Sequence, residues 1–250
     1  MGFQTLFYKE WLRFWKVAVQ TVLAPMLTAL LYLLVFSHTL RGSVDVFPGV
    51  SYTQFLIPGL AMMAVLQNAF ANSSSSLMQS KMQGNIVFVL LPPISHVEFF
   101  FAYLLAAIGR GLVVGAGMFA FTVFFVHVPV SNPLWILVFA VAGSSVLGAL
   151  GIVAGMHSDK VDELSVFTNF VILPLTFLAG VFYSIHSLPP FWQKASHANP
   201  IFYMIDGFRY GFFGQSDVSP WMSMGIVLAV FTVISCWALW LIKTGYKLRH

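Results

Sequence analysis

The stretch LWILVFAVAGSSVLGALGIVAGM, residues 134–156, contains no charged side chain and no proline. At about 1.5 Å of rise per residue, about 20 such residues cross the roughly 30 Å hydrocarbon layer of a bilayer. The apolar run is continuous rather than alternating, which favours a helix over a barrel strand. Outward from it the pattern repeats, with apolar windows at 17–36, 55–77, 99–125, 165–182 and 222–242. Six spanning helices are predicted, which makes the fold class an all-α polytopic membrane protein.

Composition agrees. Hydrophobic residues make up 59%, charged residues 8%, and the mean hydropathy is +0.86, against roughly 25% charged in a soluble domain. Lys9, Arg13, Lys16, Lys81, Lys160, Lys243, Lys247 and Arg249 fall on one side of the predicted spans. Arg41, Lys194 and Arg209 fall on the other, and Arg110 lies inside the third window. The positive-inside rule therefore places both termini in the cytoplasm, and the net charge of +4 reads as topology, with no nucleic-acid partner implied. The single cysteine, Cys236, excludes an internal disulfide. The first window is long and lacks a small-residue cleavage site, so it reads as an uncleaved span and the mature chain is expected to begin near Met1.

Ahead of that span, Lys9, Arg13 and Lys16 share one helical face while Phe3, Phe7, Trp11, Phe14 and Trp15 fan across the other. This predicts an interfacial helix, aromatic side down and basic side toward headgroups. The loop QSKMQGNIVFVLLPPISHVE, residues 79–98, is too short to span and too apolar for a free loop, and Pro92-Pro93 closes its helix-compatible part. Either it offers an apolar surface to a partner or it packs on the bundle's own inner face. The segment 183–220 is broken by Pro189, Pro190 and Pro200 yet rich in aromatics such as Trp192. Asn199 as a cap before Pro200 predicts a helix start, with Asp206 and Arg209 three apart on one face, so two short helices dipping into the outer leaflet are expected.

Chemistry is scarce. The chain has no G-x-x-x-x-G-K-[ST] and no glycine followed by lysine, so it carries no P-loop. HSDKVDE, residues 157–163, matches no EF-hand spacing and reads as a solvated turn. No metal, catalytic or cofactor-binding residues are assigned. A membrane enzyme would need convergent ligands or nucleophiles, and the seven histidines are scattered at window edges and loops. A proton-driven secondary transporter also lacks a P-loop, but usually carries buried carboxylates, and no Asp or Glu lies well inside a predicted span. Within the spans, Asn68, Asn72 and Ser75 share a face of the second, and Asn169 and Thr176 share a face of the fifth. Arg110 is the one strong charge in a span, followed by the GxxxG pair Gly111 and Gly115; Gly151 and Gly155 make a second pair.

The run PLTFLAGVFYSIHSLPPFWQKASHANPIFYMIDGFRYGFFG, residues 174–214, resembles the signature of the type-2 ABC exporter permeases, the membrane halves of bacterial drug, lipid and polysaccharide exporters. QFLIPGLAMM at 54–63, LLPPIS at 90–95, the basic start and six spans extend the resemblance over the whole chain. It implies a single transmembrane permease domain over 1–250, in a bacterial inner membrane, pairing with a second copy and with two copies of a separate ATPase that binds ATP and Mg. It also implies a coupling helix contacting that ATPase, here Gln79, Lys81, Met82, Gln83, Gly84, Asn85, Pro92 and Pro93. Family coupling helices usually carry acidic residues where this chain has Val87 and Phe88. By the same resemblance spans two and five border a central cavity. That makes Asn68, Asn72, Asn169, Thr176 and Arg110 substrate-facing candidates, with interhelical bonding the alternative for each. The re-entrant segment around Pro189, Pro190, Trp192, Pro200, Asp206 and Arg209 becomes an external lid, with a plain interfacial anchor as the other reading.

Overall fold

The computed structural model describes residues 2–39, 46–91 and 93–247. Its elements are α1 (Gly2–Lys16), α2 (Ala18–Thr39), α3 (Tyr52–Met82), α4 (Ile86–Leu90), α5 (His96–Thr122) and α6 (Pro133–His157). They continue with α7 (Val161–Phe167), a π turn (Thr168–Ile172), α8 (Leu173–Phe177), α9 (Pro190–His197), α10 (Pro200–Phe213) and α11 (Pro220–Thr244). Among the described residues no strand forms, only an isolated bridge between Phe47 and Val50.

Local chemistry fixes the ends. Ser51 and Ser95 open α3 and α5 with reciprocal capping boxes to Gln54 and Glu98. Asn199 accepts from the Ile201 N–H ahead of α10, as its sequence predicted, and Gly214 closes that helix at φ 66°.

Among the described residues five helices are long and apolar enough to cross a membrane: α2, α3, α5, α6 and α11. The expected fifth span, 165–182, is not among them. It is a run of three pieces from Val161 to Phe177 that ends in turns around Gly180, at φ 73°. The π turn closes through i→i+5 bonds, which shifts the register of everything after it, and Pro174 brings no N–H to the helix.

The bundle is organised around α3. Apolar burial drives little in a lipid solvent, so close approach of small residues has to hold helices together. A Cβ on Gly151 would lie 2.5 Å from the Phe70 carbonyl oxygen, and one on Gly155 2.8 Å from that of Ser74. On α5, a Cβ on Gly111 would lie 3.1 Å from the Val65 oxygen and one on Gly115 2.5 Å from Val65 Cγ2. Both GxxxG pairs thus seat their helices on α3. The helix α10 packs between α3, α6 and α11, with Gly207 giving way to the Phe139 ring. By contrast α2 is largely exposed along its length and leans on α3 and α5 across a cavity of about 250 Å³.

Candidate functional site

The polar residues of the bundle converge on the far half of α3. Asn68 Oδ1 accepts from Arg110 Nε at 3.3 Å and Nη2 at 3.2 Å, while its Nδ2 donates to the Ala64 carbonyl at 3.0 Å. One turn on, fully buried Asn72 accepts Arg13 Nη2 on its carbonyl oxygen at 2.7 Å, and Ser75 Oγ accepts Arg13 Nη1 at 3.3 Å. The Arg110 guanidinium also faces the Phe14 ring at 5.9 Å. Two arginines, from α1 and α5, therefore dress one face of α3.

Beside them stands a residue that sequence reading passed over. Glu10 is 0% exposed; its carboxylate lies 3.0 Å from Lys9 Nζ and 3.5 Å from Arg13 Nε, and accepts from Ser76 Oγ at 2.8 Å. A buried carboxylate needs such partners. The basic face of α1 is accordingly not all outward: Arg13 turns onto α3, Phe14 is buried, and Trp11 lies where a Cβ on Gly109 would be. Glu10 was legible only as the one acid among the bases of α1.

Asn169 and Thr176 do not share a surface. Asn169 is exposed and lines a cavity of about 430 Å³ with Ser75, Gln79 and Gln83, whereas Thr176 is buried with its hydroxyl donating to the Ile172 carbonyl. Asn169 lies within the π turn and Thr176 in α8 beyond it.

At the end of α3 the expected coupling residues divide. Gln79, Lys81 and Met82 belong to the last turns of α3 rather than to a separate helix, Gln83 caps it, and Gly84 at φ 70° with Asn85 turns the chain into α4. Gln79, Met82, Gln83, Gly84, Asn85 and Pro93 are exposed; Pro92 lies outside the described residues. Phe88 on α4 is 71% exposed, with Val87 and Leu91 also outward. Lys81 differs: its side chain is only 10% exposed, and Nζ donates to the carbonyls of Met156 and Ser158 and lies 2.6 Å from Asp159 Oδ1. It caps the end of α6, where the helix dipole favours a cation. Lys247, past the end of α11, reaches Asp159 Oδ2 at 2.6 Å and the His157 carbonyl at 2.9 Å. The hydrogen bonds from Lys247 and then Lys81 hold the Asp159 carboxyl down at about 2.

At the opposite end, Pro189, Pro190 and Trp192 sit exposed at the start of α9, and Pro200 begins α10. Asp206 and Arg209, three apart on α10, are both 0% exposed. Asp206 accepts the backbone N–H groups of Asp217 and Val218, each at 2.9 Å. Arg209 donates to the Gly180 carbonyl at 2.9 Å and stacks 3.7 Å from the Phe55 ring centroid. Asp217 in turn accepts Ser184 Oγ at 2.6 Å and the Ile185 N–H at 3.1 Å. The α10 region is knotted to the start of α3 and to the turn after α8.

With this geometry in place, comparison with known proteins decides the family. The model of the ABC-2 type transporter family matches residues 1–213. The chain belongs to the ABC-2 type transporter family. It is the membrane permease component of an ABC transporter, and membership implies association with an ABC ATPase subunit. The chain is 39% identical over its whole length, and 97% of the relative's, to the inner membrane transport permease YadH of Escherichia coli. It is 23% identical to nodulation protein J of Rhizobium leguminosarum over 90% of each chain.

Proposed function

We propose that this permease is the membrane half of an exporter in a bacterial inner membrane, with both termini cytoplasmic. It pairs with a second copy and is driven by two copies of a separate ATPase that binds ATP and Mg. The observation that carries this reading is α4, a five-residue helix with exposed Val87 and Phe88, joined by one turn to the 31-residue helix α3. At about 1.5 Å per residue α3 is about 46 Å long. It runs from the bracing around Asp206 and Arg209 to the bracing around Asp159, touching α5, α6 and α10 on the way. A push on α4 is thereby delivered to the whole bundle.

The mechanism is a population shift: the ATPase favours whichever permease state offers it better contacts, so nucleotide-dependent contact at α4 and the turn Gln83–Asn85 sets the balance between inward- and outward-facing arrangements. Lys81, turned inward, acts as a brace for that element; Gln79, Met82, Gln83, Gly84, Asn85, Pro92 and Pro93 form or flank the contact. The route for cargo runs past Asn68, Arg110 and Asn169, with Asn72 buried behind it against Arg13, and with α9 and α10 as the external lid. Mixed polar and aromatic walls suit an amphipathic or lipid-linked cargo. Proton coupling would need a buried carboxylate free of fixed partners; among the described residues Glu10 is bound to two cations and Asp206 to two backbone N–H groups, which does not favour a relay.

A cross-link tests the contact. With Cys236→Ser as background, Asn85→Cys should form a disulfide-range cross-link to the ATPase in native membranes, and its yield should change with nucleotide. Absence of any ATPase adduct from residues 83, 85 and 87 alike would remove α4 as the contact.

A further inference from the structure

A cavity of about 630 Å³ opens between the first turns of α1, the last turns of α3 and α4, within the size range of small-molecule sites. Its polar side is basic: Lys9 and Arg13 line it, and no acidic residue does among the described residues. Ser76 and Gln79 of α3 lie beside them, and the opposite wall is Phe88, Val89 and Ile94. Glu10 sits behind the basic pair and cancels one of its two charges, leaving a net charge of about +1 at the cavity. The two helix ends there, the start of α1 and the finish of α3, carry opposite half-charges and offset each other. Lys9 has three N–H donors, one of which meets Glu10, and its side chain is 43% exposed. A cationic rim facing an apolar wall, at the edge where an amphipathic helix meets the bundle, matches one chemistry: an anionic headgroup with a hydrocarbon portion attached.

We propose that this cavity binds the anionic phosphate headgroup of a membrane lipid. Lys9 holds the phosphate, Arg13, whose guanidinium is bonded to Asn72 and Ser75, adds its charge from behind, and Phe88, Val89 and Ile94 meet the apolar part of the ligand. The phosphate recognition would serve a free phosphate as well; the apolar lining beside it, where Val89 and Ile94 pack on the core and Phe88 stands exposed, favours a phosphate that carries a tail. Seated there, the lipid lies between α1 and the element that bears the exposed face of α4.

The full chain, purified and delipidated in mild detergent, is titrated with phosphatidylglycerol or phosphatidylcholine and read by native mass spectrometry. One phosphatidylglycerol per chain should bind about tenfold more tightly than phosphatidylcholine, the size of effect a charge-assisted contact supplies. Lys9→Glu should abolish the preference, and Val89→Trp, which fills the cavity and leaves the charges intact, should weaken binding. Melting curves verify that both variants fold. If inorganic phosphate displaces the lipid, the phosphate group alone suffices and the source can be soluble; if it does not, the ligand is a membrane lipid. Equal retention of the two lipids by the wild-type chain, or undiminished phosphatidylglycerol binding in both folded variants, overturns the proposal. No ATPase enters the assay, so the result is independent of the contact proposed for α4.

Discussion

At the scale of single residues, buried charge is what ties α1 to the bundle. Glu10 serves Lys9, Arg13 and Ser76 at once, so its loss removes the counter-charge of a partly buried guanidinium and the acceptor of a buried hydroxyl. Glu10→Ala should therefore lower stability by on the order of 2–3 kcal/mol, less than for a wholly buried pair because Arg13 is partly exposed. A thermal midpoint in detergent equal to that of the wild-type chain would contradict this. Asp159 is a different case, with its side chain 47% exposed between two lysines. Its carboxyl is depressed from an ordinary 3.8 to about 2. The contribution is thus complete at any pH above the ordinary value and is lost only as pH falls through about 2. Solvent screening keeps it below about 1 kcal/mol. Asp159→Asn should lower the thermal midpoint slightly and by the same amount across about pH 5 to 8. A gap between wild type and variant that widens or closes over that range would show another group titrating at the brace. Neither role was visible in the sequence: the Ser76 partner of Glu10 is 66 positions away and Lys81 of Asp159 is 78 (159 − 81).

Among the helices, small residues decide which neighbours can approach. Gly151→Leu would drive its side chain into the Phe70 backbone, where nothing flexible can yield, and should cost about 1–3 kcal/mol or more, read as lost folded yield after extraction. Gly225→Ala on α11 has open space within 4 Å and should leave the yield unchanged or raise it. Similar losses from both would sink the idea that α3 contacts set the bundle. Most element positions were legible in the sequence because apolar length, Ser-x-x-Gln/Glu boxes and Asn-Pro starts are local properties: α2, α5, α6 and α11 fall near their expected windows, and α9 and α10 follow Pro189-Pro190 and Asn199-Pro200. What escaped was register. The last turns of α3 carry Gln79, Ser80 and Lys81, polar enough to read as loop, yet their helix continues because Lys81 finds the end of α6. The π turn, which contains Asn169 and ends before Thr176, has no sequence mark of its own. Asp206 and Arg209 had the spacing of a surface pair, and only the packing of α10 between α3, α6 and α11 reveals that both are interior.

For the whole molecule, α3 acts as a rod of about 46 Å, braced at one end by Lys81, Asp159 and Lys247 and at the other by Asp206, Arg209 and Asp217. Orientation is checked by labelling: in a Cys236→Ser background, Asn85→Cys should react with a membrane-impermeant thiol reagent only in inside-out vesicles, and Gln215→Cys only in right-side-out cells. Reaction of both from the same side would break the assigned topology. On the proposed reading, this permease is driven by a separate ATPase acting through α4. The direct measurement is purification of the tagged chain from its native membrane in mild detergent, with identification of its companions and an ATPase assay of the complex. A P-loop ATPase should accompany the chain stoichiometrically, and the double substitution Val87→Glu and Phe88→Glu should remove both the companion and the activity while the permease stays folded. A chain that repeatedly purifies alone and without ATPase activity, or a double variant that keeps its ATPase fully coupled, would contradict the claim.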